Sequence, residues 1–149
     1  MTVKKRATYI LLVSFFLLIV DRALKMFVLR DNVRVLIESR LHIRLFENDR
    51  IAFSLPVSWG PMLSVLALII MVFVLVKAHR RLKGFYYVDA MLWFIIFLGA
   101  ASNMYDRLVH GFVIDYIHLL PASYFNIADV FIGVGIIALM FMKPKVCRV

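Results

Sequence analysis

The chain has 149 residues, is 64% hydrophobic and carries a formal charge of +9, with a mean hydropathy of +0.91. That combination excludes an ordinary soluble domain and fits a membrane protein whose basic residues cluster at the ends of apolar runs. Those Lys and Arg residues form no arm or face of their own, so no nucleic-acid partner is expected.

The start, Met1 to Arg6 followed by an apolar run, has the outline of a signal peptide. It lacks a small-residue cleavage site and runs on into Asp21 and Lys25, so it reads as an uncleaved first span over residues 7–27. Asp21 and Lys25 lie four apart on one helix face, the spacing of a local ion pair. Lys25 can snorkel to the head groups, whereas the short Asp21 needs a partner or a role.

From Val33 to Leu45 the odd positions are mostly apolar, and Arg34, Glu38, Arg40, His42 and Arg44 occupy even ones. This period of two predicts a small antiparallel sheet or hairpin, with one apolar face on the bilayer or the spans and one charged face in water. The extramembrane segment is placed at 33–55, ending near Pro56. Span two follows at 57–76, with Trp59 at its interface, and leads into the basic connector Lys77 to Lys83. Span three is placed at 86–104. Asp89 near its start is read as an acid at the positive end of a helix dipole.

Between Asn103 and Asp129 the polar residues Asn103, Asp106, Arg107, Asp115, Asn126 and Asp129 crowd between two apolar runs. Ionisable groups at the edge of a bilayer are costly to desolvate, which makes this stretch a candidate site facing the protein interior or a water-filled cavity. Phe112 to Ile117 looks extended, Pro121 interrupts the chain, and span four is placed at 126–142. The basic residues fall densely in three short segments, 4–6, 77–83 and 143–148. Both termini are therefore expected in the cytosol, and every polar cluster is expected at the outer interface. Asp115 and Asp129 belong to different elements. If the fold brings them together they cannot both ionise cheaply, so one can hold a proton while the other acts as base toward water. A proton-coupled transporter would spread its acids through the bilayer, and spans two and four place none near the midplane. The lone cysteine, Cys147, rules out an internal disulfide and cysteine-based metal ligation; no metal or cofactor is expected.

Five blocks together, D-R-A-L-K (21–25), N-D-R-I-A-F-S (48–54), G-A-A-S-N-M-Y-D-R (99–107), G-F-V-I-D-Y-I (111–117) and F-N-I-A-D (125–129), resemble lipoprotein signal peptidase, or signal peptidase II, in order and spacing over nearly the whole chain. The resemblance implies a single integral-membrane peptidase domain: four transmembrane helices, with a β-rich extracytoplasmic cradle between spans one and two. It implies an aspartyl endopeptidase of the bacterial inner membrane that cuts diacylglyceryl-modified prolipoproteins before the lipidated cysteine. Asp115 and Asp129 would be the catalytic pair. Asp21, Lys25, Asn48, Asn103, Asp106, Arg107 and Asn126 would bind substrate or support the site. Membrane lipids and globomycin-like inhibitors are the further ligands implied. The chain departs from the family's usual glycines at Arg50, expected to reshape a surface loop, and at Ser102, expected to alter helix packing.

Overall fold

The computed structural model describes residues 3–31, 35–37, 41–49, 60–119 and 123–142. Arg50, Trp59 and Cys147 lie outside them, as do most of the expected surface loop and the start of the second span. The elements in order are α1 (Val3–Asp31), β1 (Val35–Ile37), β2 (Leu41–Asn48), α2 (Gly60–Lys83), α3 (Tyr87–His110), β3 (Val113–Leu119), β4 (Ser123–Phe125) and α4 (Ile127–Phe141).

Helix α3 is the hub, packing against α1, α2, α4 and β3. It continues six residues past the end expected from hydropathy, so Asn103, Asp106 and Arg107 sit on regular helix and not in a loop. Gly111 then stops it at φ 84°, a left-handed conformation that glycine adopts without steric cost, with its N–H donating to Arg107 O at 3.1 Å. Among the described residues α3 is the one helix long and apolar enough by itself to cross a bilayer; α4, also apolar, is shorter.

The packing of α3 on α4 is set by small residues, as helices approaching closely in an apolar medium require. A Cβ added at Gly99 would lie 2.5 Å from Ala128 O, and one at Gly135 would lie 2.5 Å from Ile96 Cγ1. Gly99 is one turn below Asn103, so this contact seats the start of α4 against the polar turn of α3. Gly99→Ala should therefore force α4 away, costing on the order of 1–3 kcal/mol of stability. Gly135→Ala, which meets mainly a side chain, should be milder when the two variants are compared by thermal unfolding.

The strands form one antiparallel sheet in the order β1-β2-β3-β4. The expected segment between the first two helices is thus only half of it: β3 and β4, from either side of Pro121, supply the rest. The expected division of β2 into an apolar and a charged face is not seen, because residues 42–46 are all half-buried. The cause is a register shift. Ile43 faces Ile117, but Phe46 faces Asp115, a slip of one residue between them. A one-residue slip exchanges the two faces of a strand, and it places Asn48 on the face that carries Asp115. Tyr124 stacks between Phe46 and His118, each with ring centroids 4.0 Å away, fixing β4 just before α4 begins.

The distribution of polarity is inverted relative to a soluble protein. Every exposed large residue of α2 from Val65 to Val76 is apolar, and α1 and α4 expose Leu12, Phe16, Ile19, Val134, Ile137 and Met140. Asp21, Lys25, Ser102, Asn103, Asp106, Asp115 and Asn126 are buried instead.

Candidate active site

Asn126 is the junction. As N-cap of α4 it accepts a hydrogen bond from Asp129 N at 2.9 Å, and the Asp129 carboxylate accepts from Asn126 N at 3.2 Å, a reciprocal capping box. The backbone N–H of Asp129 can only donate, so the Asn126 oxygen must face it and the amide nitrogen must face the other way. That nitrogen donates to Asp115 Oδ1 at 2.6 Å. One side chain thereby joins the two acids, one on strand and one on helix.

Asn103 is fixed by the same reasoning. Its Oδ1 accepts from the Lys25 ammonium at 2.9 Å and from Asn126 Nδ2 at 3.2 Å, which turns its own amide nitrogen onto Asp129 Oδ1 at 2.7 Å. Asn48, carried across by the slipped register, donates to Asp115 Oδ2 at 2.8 Å. All four carboxylate oxygens therefore accept from amide N–H groups, and Arg107 lies within electrostatic reach of Asp129, Asp115 and Asp106. Burial is the main reason that the Asp115 carboxyl is pushed up to about 6, and the nearby Asp129 charge adds to it. The bonds from Asn48 and Asn126 oppose the rise.

Behind the pair lies an ionic cluster in which Asp21, Lys25 and Asp106 are fully buried and Arg22 is half-buried. Lys25 contacts Asp106 at 2.7 Å and Asp21 at 3.3 Å, and Arg22 meets the other oxygen of Asp106 at 2.6 Å. The expected Asp21–Lys25 pair exists, yet the shorter contacts of Lys25 go to α3. Asp106 also accepts from Ile114 N at 3.3 Å, tying β3 to α3 beside Asp115. Asp89 is apart from this cluster, in the first turn of α3, 3.8 Å from Arg81.

Three members of the network, Ser102, Arg22 and Tyr116, had no site role expected from the sequence. Ser102, expected to affect packing, is a polar link: it donates to Asp21 at 2.8 Å and accepts from Arg22 at 3.1 Å. Arg22 stands in the block 21–25 with no role of its own expected there. Tyr116 donates to Asp21 at 2.9 Å and accepts from Ile127 N at 3.2 Å, linking α1, β3 and α4. Burial and the Asp21 charge raise its hydroxyl above the ordinary tyrosine range, which keeps it a donor. The signal for Tyr116 was its place in an apolar run, where a buried hydroxyl must find partners.

The fold is therefore a helical bundle that sets two carboxylates, Asp115 buried and Asp129 half-buried, beside a small sheet. Two solved structures, each described as a bacterial membrane enzyme, share this fold: one with a TM-score of 0.76 and 21% identity over 95% of both chains, the other with 0.73 and 22%, covering 89% of this chain and 90% of that one. The chain belongs to the signal peptidase II family, a family of proteases, whose model matches residues 13–143. Similar relatives are the lipoprotein signal peptidases of Streptococcus pneumoniae, 27% identical over 95% of each chain, and of Caldicellulosiruptor bescii, 30% identical over 83% of this chain and 79% of the relative. That of Mesorhizobium japonicum is 42% identical over 63% of this chain and 58% of its own length.

Proposed function

We propose that this protein is an aspartyl endopeptidase that removes the signal peptide from diacylglyceryl-modified prolipoproteins, cutting before the lipidated cysteine, with Asp115 and Asp129 as its catalytic pair. The observation that carries this reading is the pair itself: two carboxylates from different elements, joined through Asn126 and surrounded by amide donors. Amide hydrogen bonds hold the acids in place without supplying a competing base. Family membership and the lipoprotein signal peptidases among its relatives support the substrate class.

In the proposed reaction one carboxylate takes a proton from a water that attacks the scissile carbonyl, and the other, protonated, gives its proton to the departing amide nitrogen. Asn103, Asn48 and Asn126 hold the acids, Lys25, Asp21 and Asp106 fix the elements that carry them, and Arg107 is assigned to the substrate backbone or to orientation of the acids. The chain acts as one integral-membrane domain with four spans and both termini in the cytosol, in the bacterial inner membrane, and works at the outer face with the sheet as a cradle. The lipid-like exteriors of α1, α2 and α4 support that layout. Globomycin-like peptides are the expected inhibitors.

The test is a matched pair of precursors, one diacylglyceryl-modified and one not, incubated with the purified protein. Cleavage of the modified one alone is expected; equal cleavage of both would overturn the substrate assignment.

Because one proton is needed on the pair, activity should fall as pH rises through the upper titration, near the value of about 6 shown by Asp115. Asn48→Ala removes a donor that favours the ionised form, so that limb of the kcat/KM profile should move to higher pH. An unmoved or lowered limb would contradict the role given to Asn48.

A further inference from the structure

On the flank of α3 away from α4, a groove of about 610 Å³ runs between α1 and α3, within the roughly 300–1,000 Å³ of ligand clefts. The two helices are parallel here, since Arg22 reaches Ser102 and Lys25 reaches Asp106. Leu18 and Leu98 close one end, and Arg30 and His110 stand at the other. Twelve residues separate these ends on each helix, about 18 Å at 1.5 Å per residue. That is close to one leaflet of a hydrocarbon core about 30 Å thick.

The polarity of the groove is graded along that length. Its deep end is apolar, Arg22 sits midway with its guanidinium 4.7 Å over the Tyr105 ring, and the outer end is basic. Among the described residues no carboxylate lines it. Basic pockets between membrane helices suit anionic head groups, and the apolar remainder suits an acyl chain. The geometry points to this groove as a binding site for an outer-leaflet phospholipid with a net negative head group, its phosphate at Arg30 and His110 and a chain lying toward Leu18 and Leu98. The inference rests on the reading of α1 and α3 as membrane spans. It adds a ligand distinct from the substrate, because the groove is lined by neither Asp115 nor Asp129. Arg22, which belongs both to the groove and to the Asp106 cluster, joins the two.

The test is native mass spectrometry of the purified full chain in detergent with equal phosphatidylglycerol and phosphatidylcholine of the same chains, alongside cleavage of a modified precursor. Wild type should retain phosphatidylglycerol preferentially. Arg30→Gln should weaken that preference about fivefold, the effect of one basic residue near an anionic surface. Ala101→Phe, which fills the groove, should remove retention of both lipids. Basal cleavage should be unchanged in Arg30→Gln, so the lipid result stands whether or not the proposed peptidase activity does. Equal retention of the two lipids by wild type, an unchanged preference in Arg30→Gln, or displacement of phosphatidylglycerol by the modified precursor one for one would each overturn the site. The last outcome would assign the groove to the substrate's own acyl chains.

Discussion

Replacing Asp115 or Asp129 by asparagine should remove nearly all cleavage while the protein still accumulates and inserts. Asparagine matches the carboxylate in size but cannot accept and return the proton that water activation and amine departure require. General acid or base catalysis contributes about two to four orders of magnitude, and each single variant should lose at least that. The double variant should be little worse, because the two acids act as a unit. A stability cost is also expected, since an amide at 115 or 129 must aim one N–H at a group that is itself a donor, Asn48 or Asn126 in the first case and Asn103 or Asn126 N in the second. An unsatisfied buried donor costs about 1–3 kcal/mol. Asp89→Asn, at a residue paired to Arg81 and remote from the cluster, should keep nearly full turnover. Thermal unfolding alongside initial cleavage rates would separate lost chemistry from lost fold.

The second large effect lies one layer deeper. Lys25→Met should destabilise the protein by about 3–5 kcal/mol, the usual result of removing one partner from a buried ion pair. Among the described residues it would leave Asp21 to Ser102 and Tyr116, and Asp106 to Arg22 and Ile114 N. Against a total stability of about 5–15 kcal/mol, that threatens the fold. It would also remove one of the two donors, Lys25 and Asn126, that turn the Asn103 amide toward Asp129. Asp21→Asn combined with Lys25→Met removes both charges and should recover part of the stability, a coupling that a double-mutant cycle measures. If Lys25→Met unfolded at the wild-type temperature, the cluster would not be the brace described.

How far the sequence disclosed this arrangement differs from element to element. The four helices were legible because long apolar runs with basic ends have few other solutions. Their ends were not, because hydropathy falls at Asn103 whereas the helix continues to His110, its polar turn satisfied by α1 and α4. The alternation after Val33 correctly indicated strand. It broke at Leu45–Phe46, and that break was the trace of the register slip that delivers Asn48 to Asp115. Nothing local could tell that β2 pairs with β3, more than sixty residues on, since such pairing depends on where α3 returns the chain. The acids and asparagines stood out as costly polar groups in apolar surroundings. Ser102 and Tyr116 did not, because serine and tyrosine are ordinary in membrane helices and apolar strands, and only the contacts of Asp21 reveal their part.

The central claim is that Asp115 and Asp129 cut a lipid-modified precursor immediately before its modified cysteine. It is tested most directly by mass spectrometry of the products formed from one diacylglyceryl-modified precursor by the wild-type protein and by the Asp129→Asn variant. The account predicts a wild-type product beginning with the diacylglyceryl cysteine, an intact released signal peptide, and unchanged precursor with the variant. A cut at any other bond, or the same product formed at a comparable rate by Asp129→Asn, would contradict it.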